Sequence, residues 1–217
     1  MSIKDKIELL ANEFRHDNKL SSTEAIRLKS LIQKNKILTI YRDLSDEFSG
    51  MAVKISDNNI TKRFMMINSN HSIGKQHFTI CHELYHLFFQ DDFSSATCNV
   101  GKFNKKEKEE YNADIFASCL LLPTLGVIQM IPDNEQKKNS ISLKTILSLE
   151  QYYSCSRSSL LYRLLNLNLI DMEFLKSMSN NVKKNAIMYG FSTDLYEKGN
   201  KGDIISGEEY GSLAYSA

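Results

Sequence analysis

The sequence predicts an α+β fold, and three observations carry that prediction. Short β-type runs cluster between residues 37 and 67. Helical spacing of apolar residues precedes and follows them. A polar stretch at 132–139 then separates a last group of helices from the rest. The order is two helices, a small sheet, two helices bearing titratable groups, and a helical pair. It lacks the strand–helix alternation of a parallel α/β sheet.

In chain order, residues 2–14 place Ile3, Ile7, Leu10 and Phe14 on one helical face, with Ser2 as the cap. Ser21, Ser22, Thr23 and Glu24 read as a capping box opening a second helix, whose inner side is Ala25, Leu28, Leu31 and Ile32. Both helices read as scaffold, with His16 exposed. Residues 37–41, 50–55 and 64–67 read as strands, and Asp57, Asn58 and Asn59 as the turn of a hairpin joining the last two. An edge of this sheet either pairs with an extended peptide through main-chain bonds or only packs on the helices. Residues 69–76 form a loop flanked by His71 and His77, which lack ligand spacing to the motif below and read as surface or helix-start residues.

A helix follows, with Ile80, Leu84, Leu87 and Phe88 as its apolar stripe. Residues 91–104 are polar and read as a loop able to overhang a cleft. The basic run of Lys102, Lys105, Lys106 and Lys108 is diluted by Glu107, Glu109 and Glu110 and reads as solvated, Glu107 and Glu109 facing water. The next helix ends at Pro123. Residues 124–131 form a short apolar helix. Residues 142–152 and 156–166 form two helices around Tyr153, Ser154 and Cys155, resembling a helix-turn-helix with Arg157, Ser158, Tyr162 and Arg163 on the second. Phosphate contacts dominate DNA affinity and this pair has few basic residues, so packing is favoured over direct DNA binding. A further helix runs from Asp171 to about Met178. The expected organisation is a domain at 1–131, a helical segment at 140–180 and a loosely ordered tail at 190–217.

The chain of 217 residues can bury one good core, and 42% hydrophobic with 24% charged residues is ordinary for a soluble domain. A net charge of +1 gives no global pull towards nucleic acid or anionic membrane. The N-terminus reads as an amphipathic helix rather than a secretion signal, and no apolar run reaches membrane-spanning length; the cytoplasm is the expected location. Cys81, Cys98, Cys119 and Cys155 lack C-x-x-C spacing and suggest neither a disulfide framework nor a second metal site. Cys81 and Cys119 read as buried.

The chemistry sits in H-E-x-x-H. His82 and His86 are four residues apart, so on a helix both imidazoles reach one small cation. Zinc suits them, one ion per chain, although another divalent metal would also accept these donors. Glu83, between them, can take a proton from water and hand it to a leaving amine. Two histidines do not complete a zinc site. Glu110 on the following helix can supply the third donor and leave a fourth position open. Asp114, one turn on, can accept the other ring N–H of a ligating histidine. Ala113 and Ala117 on that face let the two helices approach closely. A merely solvated face fits poorly with Phe116, Leu120 and Leu121 around it. Tyr85, His71, His77 and Tyr111 are equal candidates for a donor to a developing oxyanion.

At these residues the sequence resembles the ImmA/IrrE family of metallopeptidases. The run from Phe78 to Leu87 resembles that family's H-E-x-x-H block. Glu110 to Pro123 resembles its E-x-x-A-N-x-F-A block, and Met66, Ile67 and Asn68 its upstream strand end. The resemblance covers about residues 50–125. Three positions depart: His77 stands where the family usually has Arg, Tyr85 where it has Gly, and Asp114 where Asn is frequent. The resemblance implies a zincin-like core, a small sheet plus the H-E-x-x-H helix and a Glu-bearing helix, similar to the gluzincins with their E-x-x-x-D spacing. It implies a zinc-dependent endopeptidase that cuts a helix-turn-helix repressor and so switches on stress or mobile-element genes. The alternative is a DNA-binding regulator or toxin-like partner protein whose metal is structural.

Overall fold

The computed structural model describes residues 1–57, 60–90, 95–98 and 108–206. The elements are α1 (Ile3–Asp17), α2 (Leu28–Lys34), β1 (Ile37–Arg42), β2 (Gly50–Asp57), β3 (Ile60–Asn68), α3 (Ile73–Phe88), β4 (Ser95–Cys98), α4 (Lys108–Leu121) and α5 (Thr124–Met130), followed by α6 (Leu143–Tyr153), α7 (Arg157–Asn166), α8 (Met172–Met178), α9 (Val182–Met188) and β5 (Ile204–Ile205). This is the expected α+β architecture, with a mixed sheet in the order β4-β2-β3-β1-β5. β2 and β3 pair antiparallel, Asp57 opposite Ile60, as a hairpin requires; Asn58 and Asn59 of the expected turn lie outside the described residues. β1 runs parallel to β3.

Ser2 caps α1 through a capping box with Asp5, and Ile7, Ala11 and Phe14 face inward. The second expected cap forms a turn instead. Ser21 Oγ accepts from the backbone N–H groups of Thr23 and Glu24, but α2 starts only at Leu28. The reason is Arg15, buried at 2% exposure, whose guanidinium takes the carbonyls of Ser21 and Glu24. Those carbonyls would otherwise accept the N–H groups of a growing helix.

β4 also departs from expectation. Part of the polar segment 91–104 adds to the open edge of β2, with Ser95 opposite Val53 and Cys98 opposite Gly50. A short strand without apolar alternation gives little sequence signal; the rest of that segment lies outside the described residues.

α3 is buried nearly all round, its residues Phe78 to Leu87 all being inaccessible, as for a helix enclosed on every side. β2 and β3 cover one side and α4 another. Ala113 and Ala117 of α4, which packs on both α3 and α1, are fully buried. An aromatic cluster joins three helices: Phe14 of α1 lies 5.3 Å from Phe88 and 5.8 Å from Phe116, ring centroid to centroid, and Phe89 lies 5.1 Å from Phe116. Edge and tilted pairs of this kind add about 0.5–1.5 kcal/mol each beyond area burial. Cys81, Cys119 and Cys155 are buried, and burial pushes the Cys81 thiol up to about 12.

The polar stretch expected to divide the chain carries a short 3-10 turn, Asp133–Glu135. Ile131 before it and Ile141 after it belong to the same hydrophobic core, which continues into Leu149, Tyr153, Leu160 and Leu164. Tyr153 donates its hydroxyl to the Thr23 carbonyl, and Arg163 donates to the Leu122 carbonyl. Of the tail expected at 190–217, residues 190–206 are described and are tied down. β5 pairs with β1, the Ile73 N–H donates to the Glu197 carbonyl, and buried Gln76 bonds to Gly199 and Asn200. Hydrogen bonds and two well-separated buried residues, Leu195 and Ile205, hold this segment, so periodicity could not reveal it.

Candidate metal centre

The residues singled out in H-E-x-x-H and on α4 come together. His82 and His86 lie one turn apart on α3, their Nε2 atoms 3.0 Å apart. Glu110, on the first turns of α4, brings Oε2 to 3.2 Å from His82 Nε2 and Oε1 to 3.4 Å from His86 Nε2. Among the described residues this is the one group of three side chains whose donor atoms could hold a metal ion. The donor set fits zinc. Bonds of about 2.0–2.1 Å in a tetrahedron put neighbouring donors roughly 3.3 Å apart, close to the three separations observed.

The other ring nitrogens fix which atoms face the centre. His82 Nδ1 lies 2.9 Å from Asp114 Oδ1. A carboxylate only accepts, so Nδ1–H donates and the Nε2 lone pair is left for the centre. His86 Nδ1 pairs with Gln90 Oε1 to the same effect. Burial, then the neighbouring His82, moves the His86 pKa below its ordinary value and favours the neutral ring. A neutral imidazole is the form that binds a metal. Both imidazoles are inaccessible, whereas the Glu110 side chain is 24% exposed, so the cluster opens to solvent on the α4 side.

Glu83, fully buried, faces β2. Room for it comes from Gly50, the first residue of that strand. A methyl group at position 50 would stand 2.6 Å from Thr79 Cγ2, 3.0 Å from the Met66 carbonyl and 3.2 Å from Glu83 Oε1. Sequence reasoning missed Gly50, although a glycine opening a strand is the signal for close backbone approach. It also missed Gln90, which sits at the same spacing from His86 that His86 has from His82.

Other expected residues lie elsewhere. His71 Nε2 is 3.0 Å from the Asp46 carbonyl and 3.1 Å from Lys75 Nζ. His77 Nδ1 donates to the Ser154 carbonyl at 2.8 Å. Tyr85 donates its hydroxyl to Glu109 Oε2 at 2.8 Å, so Glu109 does not simply face solvent as expected. Tyr111 packs half-buried against the core. On α7 the two arginines are interior groups: Arg157 pairs with buried Glu150, and Arg163 with Glu8 and the Leu122 carbonyl.

Among the described residues no single helix is long and apolar enough to cross a membrane. The bent pair α4–α5 passes by length and composition only, and most of it is core. No curated protein matches the sequence. Residues 32–165 match the Peptidase_M78 family, the IrrE N-terminal-like domain. That span takes in β1 to β4, both helices of the His82, His86 and Glu110 cluster and nearly all of the α6–α7 pair, and the chain therefore belongs to the ImmA/IrrE family of metallopeptidases.

Proposed function

We propose that this protein is a cytoplasmic, zinc-dependent endopeptidase that cuts a partner transcriptional repressor of the helix-turn-helix type, thereby derepressing stress or mobile-element genes. The convergence of His82 Nε2, His86 Nε2 and Glu110 on one point, with Glu83 on the same helix, carries this reading. The choice of substrate rests on the family resemblance alone.

His82, His86 and Glu110 hold the zinc. When bound, zinc supplies Lewis acidity that polarises a scissile carbonyl and eases loss of a proton from water. Asp114 and Gln90 keep the imidazoles turned, each accepting a Nδ1 proton. The Glu83 carboxylate takes the proton of the attacking water and returns it to the departing amine. Its burial against Gly50 limits where that carboxylate can move, and a general base must stay within hydrogen-bond reach of the proton it takes. An extended substrate would add to the side of β4 away from β2, which ends the sheet among the described residues.

The alternative, a DNA-binding regulator with a structural metal, has less support. A structural zinc is closed by four protein donors, whereas among the described residues three side chains converge here. The arginines that would contact phosphates on α7 serve the interior.

The test is Glu83→Gln, which keeps the shape and an accepting carbonyl but cannot act as a base. Zinc content by elemental analysis and the fold should be unchanged. Cleavage of the repressor encoded by a neighbouring gene, read from fragment masses, should fall at least ~100-fold. Equal cleavage by the variant would remove Glu83 from the mechanism.

A further inference from the structure

Of the three donors, Glu110 is the most exposed, its side chain being 24% accessible against 1% for His82 and 0% for His86. His82 sits mid-helix and His86 in the last turn of α3, both buried in the core. Glu110 lies in the first turn of α4, which begins at Lys108. The ring that packs α4 against Tyr85 and Phe89, Phe116, comes only later along the helix. Something must fix that first turn if Glu110 is to meet two buried imidazoles.

We propose that Tyr85 is a positioning residue for Glu110, acting through Glu109. Tyr85 is itself held: it is 4% exposed, with its ring centroid 5.7 Å from His86 and 5.8 Å from Phe116. Its hydroxyl donates to Glu109 Oε2 at 2.8 Å. This bond runs from the H-E-x-x-H turn of α3 to the residue preceding Glu110. Adjacent residues share a peptide unit, so fixing Glu109 limits the backbone rotation available to Glu110. The bond is to a charged acceptor, the stronger kind. Tyr85 thus has a hydroxyl role apart from packing, and that hydroxyl is committed away from the oxyanion role considered above. The inference rests on the reading of His82, His86 and Glu110 as the metal donors.

The test reads metal affinity, with zinc alone as the probe in competition with a chromophoric chelator. Tyr85→Phe keeps the ring and removes only the hydroxyl. It should weaken zinc binding on the order of tenfold, the lower end for changes in groups that support metal ligands. Glu109→Ala should do the same. The double variant should be no weaker than the worse single, because both remove one bond. Glu109→Gln keeps an accepting oxygen and should recover most of the affinity lost in Glu109→Ala. A purely structural role would instead lower the melting temperature of the metal-free protein and spare zinc affinity. Multiplying losses in the double variant, or unchanged affinity in Tyr85→Phe, would overturn the inference. His86→Ala separates the two ideas. If it keeps full zinc affinity, the donor assignment fails. If it loses zinc while Tyr85→Phe does not, only the positioning role fails.

Discussion

Two residues decide how far the site tolerates small changes. Asp114 accepts the Nδ1 proton of His82. Asparagine can still accept it but lacks the charge that raises ligand basicity, so Asp114→Asn should cost on the order of 10–100-fold in zinc affinity by chelator competition. Gly50 acts by lacking a side chain. In Gly50→Ala the new methyl meets Thr79 Cγ2, the Met66 carbonyl and Glu83 Oε1, and the carbonyl is held by β-pairing. Thr79 and Glu83 must therefore give way. Overpacking should cost about 1–3 kcal/mol in denaturant unfolding, and cleavage should fall by more than tenfold with zinc retained, since displacement near 1 Å costs about 100-fold. Thr79→Ser deletes the closest clashing atom. Added to Gly50→Ala, it should restore stability but not cleavage; recovery of both would show that only crowding at Thr79 mattered. His82, Glu83, His86, Glu110 and Asp114 were legible because donor type and helical spacing together are rare. Gly50 and Gln90 were not, because their contribution depends on which strand or turn lies opposite.

Among the elements, α3 and α4 were legible by period and composition, α2 and α7 only in part. The apolar spacing of α2 was correct, but its start was set by a long-range partner, Arg15, that no local pattern reveals. On α7 the helix formed where expected while its arginines turned inward. Arg157 bonds through Nη2 to Glu150 Oε2 at 3.2 Å and through Nη1 to the Met178 carbonyl at 2.8 Å, and Tyr196 donates to the same carboxylate at 2.6 Å. From sequence, an arginine at a helix start looks solvated, because its acceptors come from α6 and α8, and the second donor to its carboxylate partner comes from the segment near residue 196. Removing one member of a buried pair strands the other charge, so Arg157→Ala should lower unfolding stability by about 3–5 kcal/mol in a denaturant titration. Any DNA retention that the parent shows should be indifferent to Arg157 in variants that stay folded. A folded variant that had lost tight, sequence-specific binding would instead favour the regulator alternative.

At the scale of the whole molecule, α6 and α7 belong to the same body as the metal site. Gly74 of α3 packs so closely on the 155–156 turn that a methyl there would stand 2.7 Å from the Ser156 nitrogen. Three residues after Gly74, His77 closes the join by donating to the Ser154 carbonyl, the αL residue that ends α6. The chain order of the helices was readable, but this join was not, because one polar side chain and one glycine make it rather than an apolar stripe. It has a pH consequence. Burial holds the His77 pKa below its ordinary value of 6.5, and the backbone bond offsets only part of that. In the unfolded chain the ring takes a proton as pH falls through about 6.5, whereas in the folded chain it does so only lower. The unfolded state then binds more protons, so the contribution is favourable above 6.5 and is lost as pH falls through the folded pKa. Most carboxylates titrate lower, below about pH 5, while burial raises Glu150, which works in the opposite direction as pH falls, so the His77 contribution between about 5 and 6.5 is read as a difference between parent and variant. His71, held down mainly by its own burial, acts in the same direction there. His77→Gln can keep a donor to Ser154 without a titrating ring. Its denaturant midpoint should therefore fall less than the parent's between pH 6.5 and 5, with the two curves parallel above pH 7. Identical slopes throughout the window would mean that His77 titrates alike in both states and that the join does not shield it.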